Sequence, residues 1–133
     1  MSNQKFFQIA LLVKDYDEAI DFYTNKLSFS ILEDTRLSET KRWVVVAPPG
    51  SGGGAQLLLA KAATEEQLTR VGNQTGGRVF LFMYTDNLQE DVDRLRQHQI
   101  KIVRGPVSEP FGNVVVFEDL YGNRWDLIER KES

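Results

Sequence analysis

The chain has 133 residues, 41% of them hydrophobic and 26% charged, so it suits one compact domain with a substantial core. A net charge of −3 without a Lys/Arg cluster argues against a nucleic-acid surface, and the absence of Cys excludes disulfides, thiolate metal sites and thiol nucleophiles. The N-terminal residues show no signal-peptide pattern and no apolar run approaches a membrane span, so we expect a cytoplasmic protein.

The first half of the chain is predicted to fold as a βαβββ unit. Asp15 with Glu18 three positions later forms a capping-box pattern, and Tyr16, Ala19 and Tyr23 follow at helical spacing, which predicts a helix over residues 16–26. Strands are predicted over residues 6–13, 28–33, 42–47 and 55–60. Residues 48–54, rich in Pro and Gly, are predicted to form a flexible surface loop.

The second half repeats this order after a connector over residues 62–77. Thr64 begins a second capping box, which predicts a short helix ending near Gly72. Asp86 is the predicted cap of a longer amphipathic helix, whose apolar stripe contains Leu88, Val92 and Leu95. Strands are predicted over residues 79–85, 101–104, 114–118 and 124–129.

The spacing of equivalent positions indicates an internal repeat. The two predicted caps, Asp15 and Asp86, lie 71 residues apart, and Gln56 and Asp126 lie 70 apart, each early in the last strand of its half. We therefore divide the single domain into a first module over residues 5–61 and a second over residues 78–130. Such a repeat implies that each module buries its sheet against a copy of itself, within the chain or across a dimer.

The last two strands contain the most informative stretch. The turn Tyr121-Gly122-Asn123 is predicted to reverse the chain, with Gly and Asn supplying positive φ angles. In the strand that follows, alternation places Asp126 on one face together with Arg124. A carboxylate inside an apolar strand is costly to bury without a partner, so Asp126 marks a place to look for a site.

The arrangement resembles the vicinal-oxygen-chelate superfamily, which contains glyoxalases, bleomycin-resistance proteins and extradiol dioxygenases. The segments that carry the resemblance are a strand-to-helix opening with a DFY signature (residues 9–23), a closing turn with Leu120-Tyr121 in place of the usual Pro-Asp (residues 117–123), and the strand segment of residues 125–127. The resemblance implies an α+β fold of two tandem βαβββ modules, each with a curved, cup-like mixed sheet flanked by helices. It also implies a homodimer.

The resemblance implies four metal-ligand positions, which align with Gln8, Gln56, Phe80 and Asp126. Phe80 cannot bind a metal, and Gln56 is neutral where the superfamily has a carboxylate. The only His, His98, lies at the end of the second module's helix in a solvated setting, so a site of the usual kind is not expected. A weakly bound divalent metal on Gln8, Gln56 and Asp126 is the alternative. The simpler interpretation is that these polar groups are satisfied by one another, by water or by Arg124.

Without a metal, the resemblance implies an apolar cup that binds a small organic molecule. If strand alternation holds, Phe80, Phe82 and Tyr84 share one face. The complete set of predicted ligand-binding residues is Gln8, Gln56, Phe80, Phe82, Tyr84, Phe111, Phe117, Arg124 and Asp126. For each aromatic residue, ordinary core packing is the competing interpretation.

Three functions follow for the chain. The first is binding of a small molecule without a catalytic metal, with no nucleic-acid or membrane partner. The alternatives are a metal-dependent lyase or isomerase of the glyoxalase type and a non-catalytic interaction protein with a filled cup.

Overall fold

The computed structural model describes residues 1–50 and 52–131. The chain divides into two compact units, residues 1–71 and 72–133, and each contains one open four-stranded mixed sheet with helices. This is the α+β architecture predicted from the sequence. Among the described residues, no helix has both the length and the apolar character needed to cross a bilayer.

The first unit builds its sheet in the strand order β1-β4-β3-β2. Its elements are β1 (Gln8–Val13), α1 (Tyr16–Asp21), a π-helical segment (Phe22–Lys26), β2 (Ser30–Arg36), β3 (Arg42–Ala47), β4 (Gln56–Lys61) and α2 (Glu65–Arg70). β1 and β4 are parallel, and β3 pairs antiparallel with both β4 and β2. The predicted loop of residues 48–54 connects β3 to β4, and its Ser51 lies outside the described residues.

The first helix starts where predicted but changes its form. The Asp15 side chain accepts a hydrogen bond of 2.9 Å from the backbone N–H of Glu18, as a capping box requires. At Phe22 the α-helix gives way to the π-helical turn, closed by the Leu27 N–H donating to the Phe22 carbonyl at 3.3 Å. Because Ser28 then takes a positive φ of 62°, β2 begins at Ser30, two residues later than predicted.

The second unit repeats the pattern in the order β5-β8-β7-β6. Its elements are β5 (Val79–Tyr84), α3 (Leu88–Gln97), β6 (Ile102–Glu109), β7 (Gly112–Glu118) and β8 (Arg124–Arg130). β5 and β8 are parallel, and the other neighbours are antiparallel. β6 is longer than predicted, with register irregularities on both sides of Arg104.

The cap of α3 is Asn87, so the prediction of Asp86 was wrong. The Asn87 side-chain oxygen accepts from the Glu90 backbone N–H at 3.1 Å. Asn and Asp cap helices equally well, so the local sequence does not decide between Asp86 and Asn87, and the tertiary structure determines which of them is the cap. The predicted apolar stripe is confirmed, because its members Leu88, Val92 and Leu95 are buried.

The turn before β8 is organised by the buried carboxylate of Asp119. Its Oδ1 accepts from three consecutive backbone N–H groups, those of Tyr121, Gly122 and Asn123, at 2.9–3.1 Å. Its Oδ2 accepts from the Asn123 amide at 3.0 Å and from the Trp125 indole N–H at 3.1 Å. Gly122 has the predicted positive φ, at 101°, but Asn123 does not. Its side chain is used as a hydrogen-bond donor instead.

One face of each sheet packs into a core with its helices. In the first unit, Leu11, Val44 and Leu59 are fully buried, and α1 lies against β3 and β4. In the second unit, Trp125 and Leu127 are buried, and α3 contacts β7 and β8. The opposite face of the second sheet carries four of the nine predicted ligand-binding residues, namely Phe82, Tyr84, Arg124 and Asp126.

Candidate functional site

The candidate site lies on the face of the second sheet opposite its core. Strand register places Phe82 beside Asp126 and Tyr84 beside Ile128 between β5 and β8. Register between β8 and β7 continues these rows, with Val116 beside Asp126 and Val114 beside Ile128. We call this surface the aromatic face, and its members are Phe82, Tyr84, Val114, Val116, Asp126 and Ile128.

Two of its aromatic side chains are solvent-exposed. Phe82 is 65% exposed and Tyr84 is 64% exposed, while Val114 and Val116 on β7 are buried. Single exposed apolar residues are common, but two large aromatics on the same face of one strand form a contiguous surface. This surface can take the flat side of an apolar ligand by stacking.

Asp126 places a carboxylate among these apolar groups. Within the described part of the chain, its Oδ1 is the one buried side-chain polar atom that has no hydrogen-bond partner. Burial raises the pKa of Asp126 above its ordinary value, and the positive charge of Arg104 opposes part of that shift. The site therefore holds an acceptor atom that the fold itself leaves unsatisfied.

Three arginines surround the aromatic face. Arg104 on β6 stands beside Val116 in the register and is paired with Glu109. Arg124 lies two residues before Asp126 on the same side of β8, with its Nε 3.8 Å from Oε2 of Glu118. Arg130 stacks on Tyr84, with its guanidinium carbon 3.8 Å from the ring centroid. Arg124 was predicted from the sequence, whereas the other two were missed.

The first unit brings two further predicted residues together. Gln8 on β1 and Gln56 on β4 are direct register partners, and both are half-buried. The Gln56 backbone N–H donates to the Phe7 carbonyl at 2.8 Å. In the first sheet, a pair of neutral amides thus occupies neighbouring strands.

Three predicted aromatics are placed differently from the aromatic face. Phe80 falls at the register irregularity between Val79 and Leu81, so it has no β8 partner beside Asp126. Phe111 is 58% exposed in the turn between β6 and β7, near the end of β8.

Phe117 does not join the site. It is 1% exposed and stacks on Trp125, with ring centroids 6.1 Å apart, on the core side of the sheet. Its β8 partner is Trp125, whereas Asp126 faces the other way. For this residue, core packing is the correct interpretation.

Comparison with known proteins identifies the family. The family model of the Glyoxalase/Bleomycin resistance protein/Dioxygenase superfamily matches residues 5–127. The chain belongs to this superfamily. A protein of Shewanella frigidimarina, described as uncharacterised, is 57% identical over 131 residues, which is 98% of this chain and 96% of that protein.

Solved structures show the same fold over nearly the whole chain. The crystal structure of UcmS2 is 28% identical with a TM-score of 0.83, covering 96% of this chain and 99% of that one. TnmS3 from Streptomyces sp. CB03234, described as an antibiotic binding protein, is 27% identical with a TM-score of 0.78, covering 98% and 99%.

The residues at the four aligned positions do not fit a usual protein metal site, in which His side chains or several carboxylates bind the ion. Among the described residues, no group of three or more His, Cys, Asp or Glu side chains lies close enough together to hold a metal ion. The four aligned positions carry two amides, one phenyl ring and one carboxylate. The weak oxygen-ligated alternative on Gln8, Gln56 and Asp126 stays a prediction, and its donors are divided between the two units.

The residues that sequence reasoning missed are those set by distant pairing. Arg104 shares a row with Asp126, with Val116 between them, only through two successive strand pairings, from β8 to β7 and from β7 to β6. Asp119 was part of the closing turn quoted for the resemblance, but its hydrogen bonds were not predicted. An acidic residue placed before a Gly-Asn turn and a Trp was the available signal, because such a carboxylate can accept backbone hydrogen bonds.

Proposed function

We propose that this protein binds a small organic molecule with an aromatic or otherwise apolar body, on the aromatic face and without a catalytic metal. The observation that carries the proposal is the pair of exposed rings, Phe82 and Tyr84, next to a carboxylate with an unsatisfied buried oxygen. Binding sites for small molecules combine this kind of apolar lining with a few well-placed polar groups.

The energetics favour occupation of this surface by a flat ligand. Each exposed ring keeps apolar area in contact with water, and covering that area releases about 25 cal/mol per Å². Arg130 already lies over Tyr84 and holds its ring in place, which reduces the conformational entropy that binding would remove. Phe82 is the exposed ring that stands directly beside Asp126.

The relatives support the same class of function. TnmS3, at 27% identity over nearly all of both chains, is described as an antibiotic binding protein. The superfamily also includes bleomycin-resistance proteins, as its name states. Since a shared fold alone does not fix the ligand, the proposal rests on the aromatic face of this chain.

A fluorescent neutral aromatic tests the proposal. We expect 9-anthracenemethanol to bind the purified protein saturably at one site per chain, with a change in anthracene emission. Phe82→Ala should weaken this binding about tenfold, because it removes the main stacking surface, a loss of about 1.4 kcal/mol. The melting temperature should stay nearly unchanged, since the ring is 65% exposed.

The matched control is Leu68→Ala. Leu68 is a large apolar residue, 50% exposed on α2 of the first unit, and its removal should leave the binding of the probe unchanged. Equal affinities for the wild type, Phe82→Ala and Leu68→Ala would refute binding at the aromatic face. If the fluorescence change does not saturate with any of the three proteins, the proposed function itself is refuted.

The metal-dependent alternative is tested separately by metal content. Protein purified without an affinity tag should contain no stoichiometric divalent ion, and Mn²⁺, Mg²⁺, Ni²⁺ or Zn²⁺ should leave its melting temperature unchanged. A stabilisation by one of these ions that Asp126→Ala abolishes would favour the lyase or isomerase alternative.

A further inference from the structure

The chemical class of the ligand is indicated by the surroundings of Asp126. Asp126 stands in the middle of a row that crosses the second sheet, with Phe82 on one side and Val116, then Arg104, on the other. Its two flanking neighbours in this row are apolar, so neither can donate a hydrogen bond to the carboxylate. Oδ1 of Asp126 is buried and unsatisfied within the described residues.

Two of the three arginines around the aromatic face have a carboxylate partner other than Asp126. Arg104 donates to Glu109, which lies on the same strand. Arg124 approaches Glu118, with 3.8 Å between Nε and Oε2. Both cations are thus engaged with other acidic groups, and Arg104 acts on Asp126 only as a more distant charge. Among the described residues, no cation forms an ion pair with Asp126, so its negative charge remains available to a bound molecule.

The ring beside Asp126 favours a positive charge as well. The face of an aromatic ring attracts cations, as the stacking of Arg130 on Tyr84 shows in this same unit. Phe82 is exposed and adjacent to Asp126, so a ligand stacked on Phe82 can bring an ammonium group to the carboxylate. An anionic ligand would place like charges together at this position.

We propose that Asp126 determines ligand specificity by selecting aromatic molecules that carry a cationic amine next to the ring system. This inference rests on the proposed function, because it assigns a ligand class to the same face. The ammonium group pairs with the carboxylate of Asp126 while the ring system stacks on Phe82. A charge-assisted hydrogen bond in a partly desolvated site is stronger than a neutral one, which is the source of the selectivity.

Three anthracene probes that share one ring system test the selection. They are 9-(aminomethyl)anthracene, a cation near neutral pH, the neutral 9-anthracenemethanol and the anionic 9-anthracenecarboxylate. We expect the amine to bind the wild-type protein about tenfold more tightly than the alcohol, and the carboxylate to bind least tightly. This ranking uses the wild-type protein alone, so it does not depend on any variant folding.

Substitution then assigns the selection to one side chain. Asp126→Asn keeps the size of the side chain and removes its charge, so the amine and the alcohol should bind this variant within about twofold of each other. Asp93→Asn removes the same charge from the exposed surface of α3 and should keep the tenfold preference.

The outcomes separate the two proposals. If the alcohol binds the wild type as tightly as the amine does, the inference about Asp126 is overturned while the proposed function stands. A preference that persists in Asp126→Asn also overturns it, because the selectivity must then come from other groups. If none of the three probes binds, the proposed function fails and this inference fails with it.

Discussion

The two units share a strand order but differ at the centre of their sheets. In the first unit, the neighbouring strands β1 and β4 bring together two neutral amides, Gln8 and Gln56. In the second unit, the corresponding strands β5 and β8 bring together an exposed ring, Phe82, and a carboxylate, Asp126. The comparison teaches that one supersecondary unit supports a neutral polar pair and a charged aromatic pair equally well. The chemistry is set by side chains and not by topology.

A second difference lies in the connection that precedes the last strand of each unit. The first unit uses the Pro- and Gly-rich segment of residues 48–54, whereas the second uses a turn fixed by Asp119. The turn also depends on Gly72, which has a φ of +74°, because a Cβ at this position would lie 1.9 Å from the Tyr121 carbonyl oxygen. The turn before β8 is therefore locally constrained.

The largest effect is expected at that turn. Asp119→Ala removes a buried acceptor of five hydrogen bonds and leaves their donors unsatisfied, so it should lower the free energy of unfolding by about 3 kcal/mol. Urea denaturation followed by circular dichroism measures this loss. Pro49→Ala, at an exposed position in the first unit's connection, should change it by less than about 0.5 kcal/mol. Equal losses in the two variants would show that the turns do not differ in this way.

Ligand binding should depend on the two sheets unequally. Phe82→Ala removes a stacking surface and should weaken 9-anthracenemethanol binding about tenfold. Gln56→Ala removes at most a neutral hydrogen bond, so its effect should be about threefold or less. Fluorescence titration of both variants gives the ratio. A larger loss of affinity for Gln56→Ala than for Phe82→Ala would show that the main ligand contact lies on the first sheet and not on the aromatic face.

The first unit has its strongest electrostatic cluster at Arg42. Its guanidinium lies 2.8 Å from Asp17 and 2.7 Å from Asp34, and 5.3 Å from the Tyr16 ring centroid. Arg42→Met should lower the free energy of unfolding by about 1 kcal/mol, since the cluster is only partly buried. Arg36→Met on β2 serves as the control, because the Arg36 side chain donates a 3.4 Å hydrogen bond to the Glu39 carbonyl and acts on Asp34 through its charge without an ion pair to it. Indistinguishable urea midpoints for the two variants would contradict the prediction.

The smallest effect concerns pH, and it has opposite signs in the two units. Burial raises the pKa of Asp126, so the folded state binds its proton more tightly than the unfolded state does. The ionised carboxylate therefore destabilises the fold above the raised pKa, and this penalty disappears as the pH falls toward 3.8. As the pH is lowered from about 7 to about 4, the free energy of unfolding of the wild type should therefore rise relative to that of Asp126→Asn. Parallel stability curves for the two proteins would contradict it.

Asp34 supplies the opposite case in the first unit. Its hydrogen bond with Arg42 holds the pKa of Asp34 below its ordinary value. The ionised form therefore stabilises the fold above pH 3.8, and that contribution is lost as the pH falls through the lowered pKa. Asp34→Asn should therefore be less stable than the wild type at neutral pH, and the two proteins should become equally stable only in strong acid. Urea midpoints of both proteins measured below about pH 4 would detect this convergence.

Local patterns predicted the element order well because they depend on neighbouring residues. The stripe of Leu88, Val92 and Leu95 predicted a buried helix face, and the alternation in β8 predicted the opposite burial of Trp125 and Arg124. Such signals are contained in a few consecutive residues. They identified both βαβββ repeats without any information about distant contacts.

Strand register could not be predicted in the same way. The irregularity at Phe80 places Phe82, and not Phe80, beside Asp126, although the family resemblance aligned Phe80 with a metal-ligand position. A single extra residue changes which side chains become neighbours, and its position is decided by pairing between distant segments. The same reason explains why Arg104 was missed and why Phe117 was included.

The most direct test of the central claim is an NMR titration of the ¹⁵N-labelled protein with 9-anthracenemethanol. We expect the largest amide shift changes in β5 and the middle of β8, around Phe82, Tyr84 and Asp126, and we expect Phe82→Ala to reduce them. Changes confined to the outer surface of α3, or spread evenly over the chain, would show that the aromatic face is not the binding site.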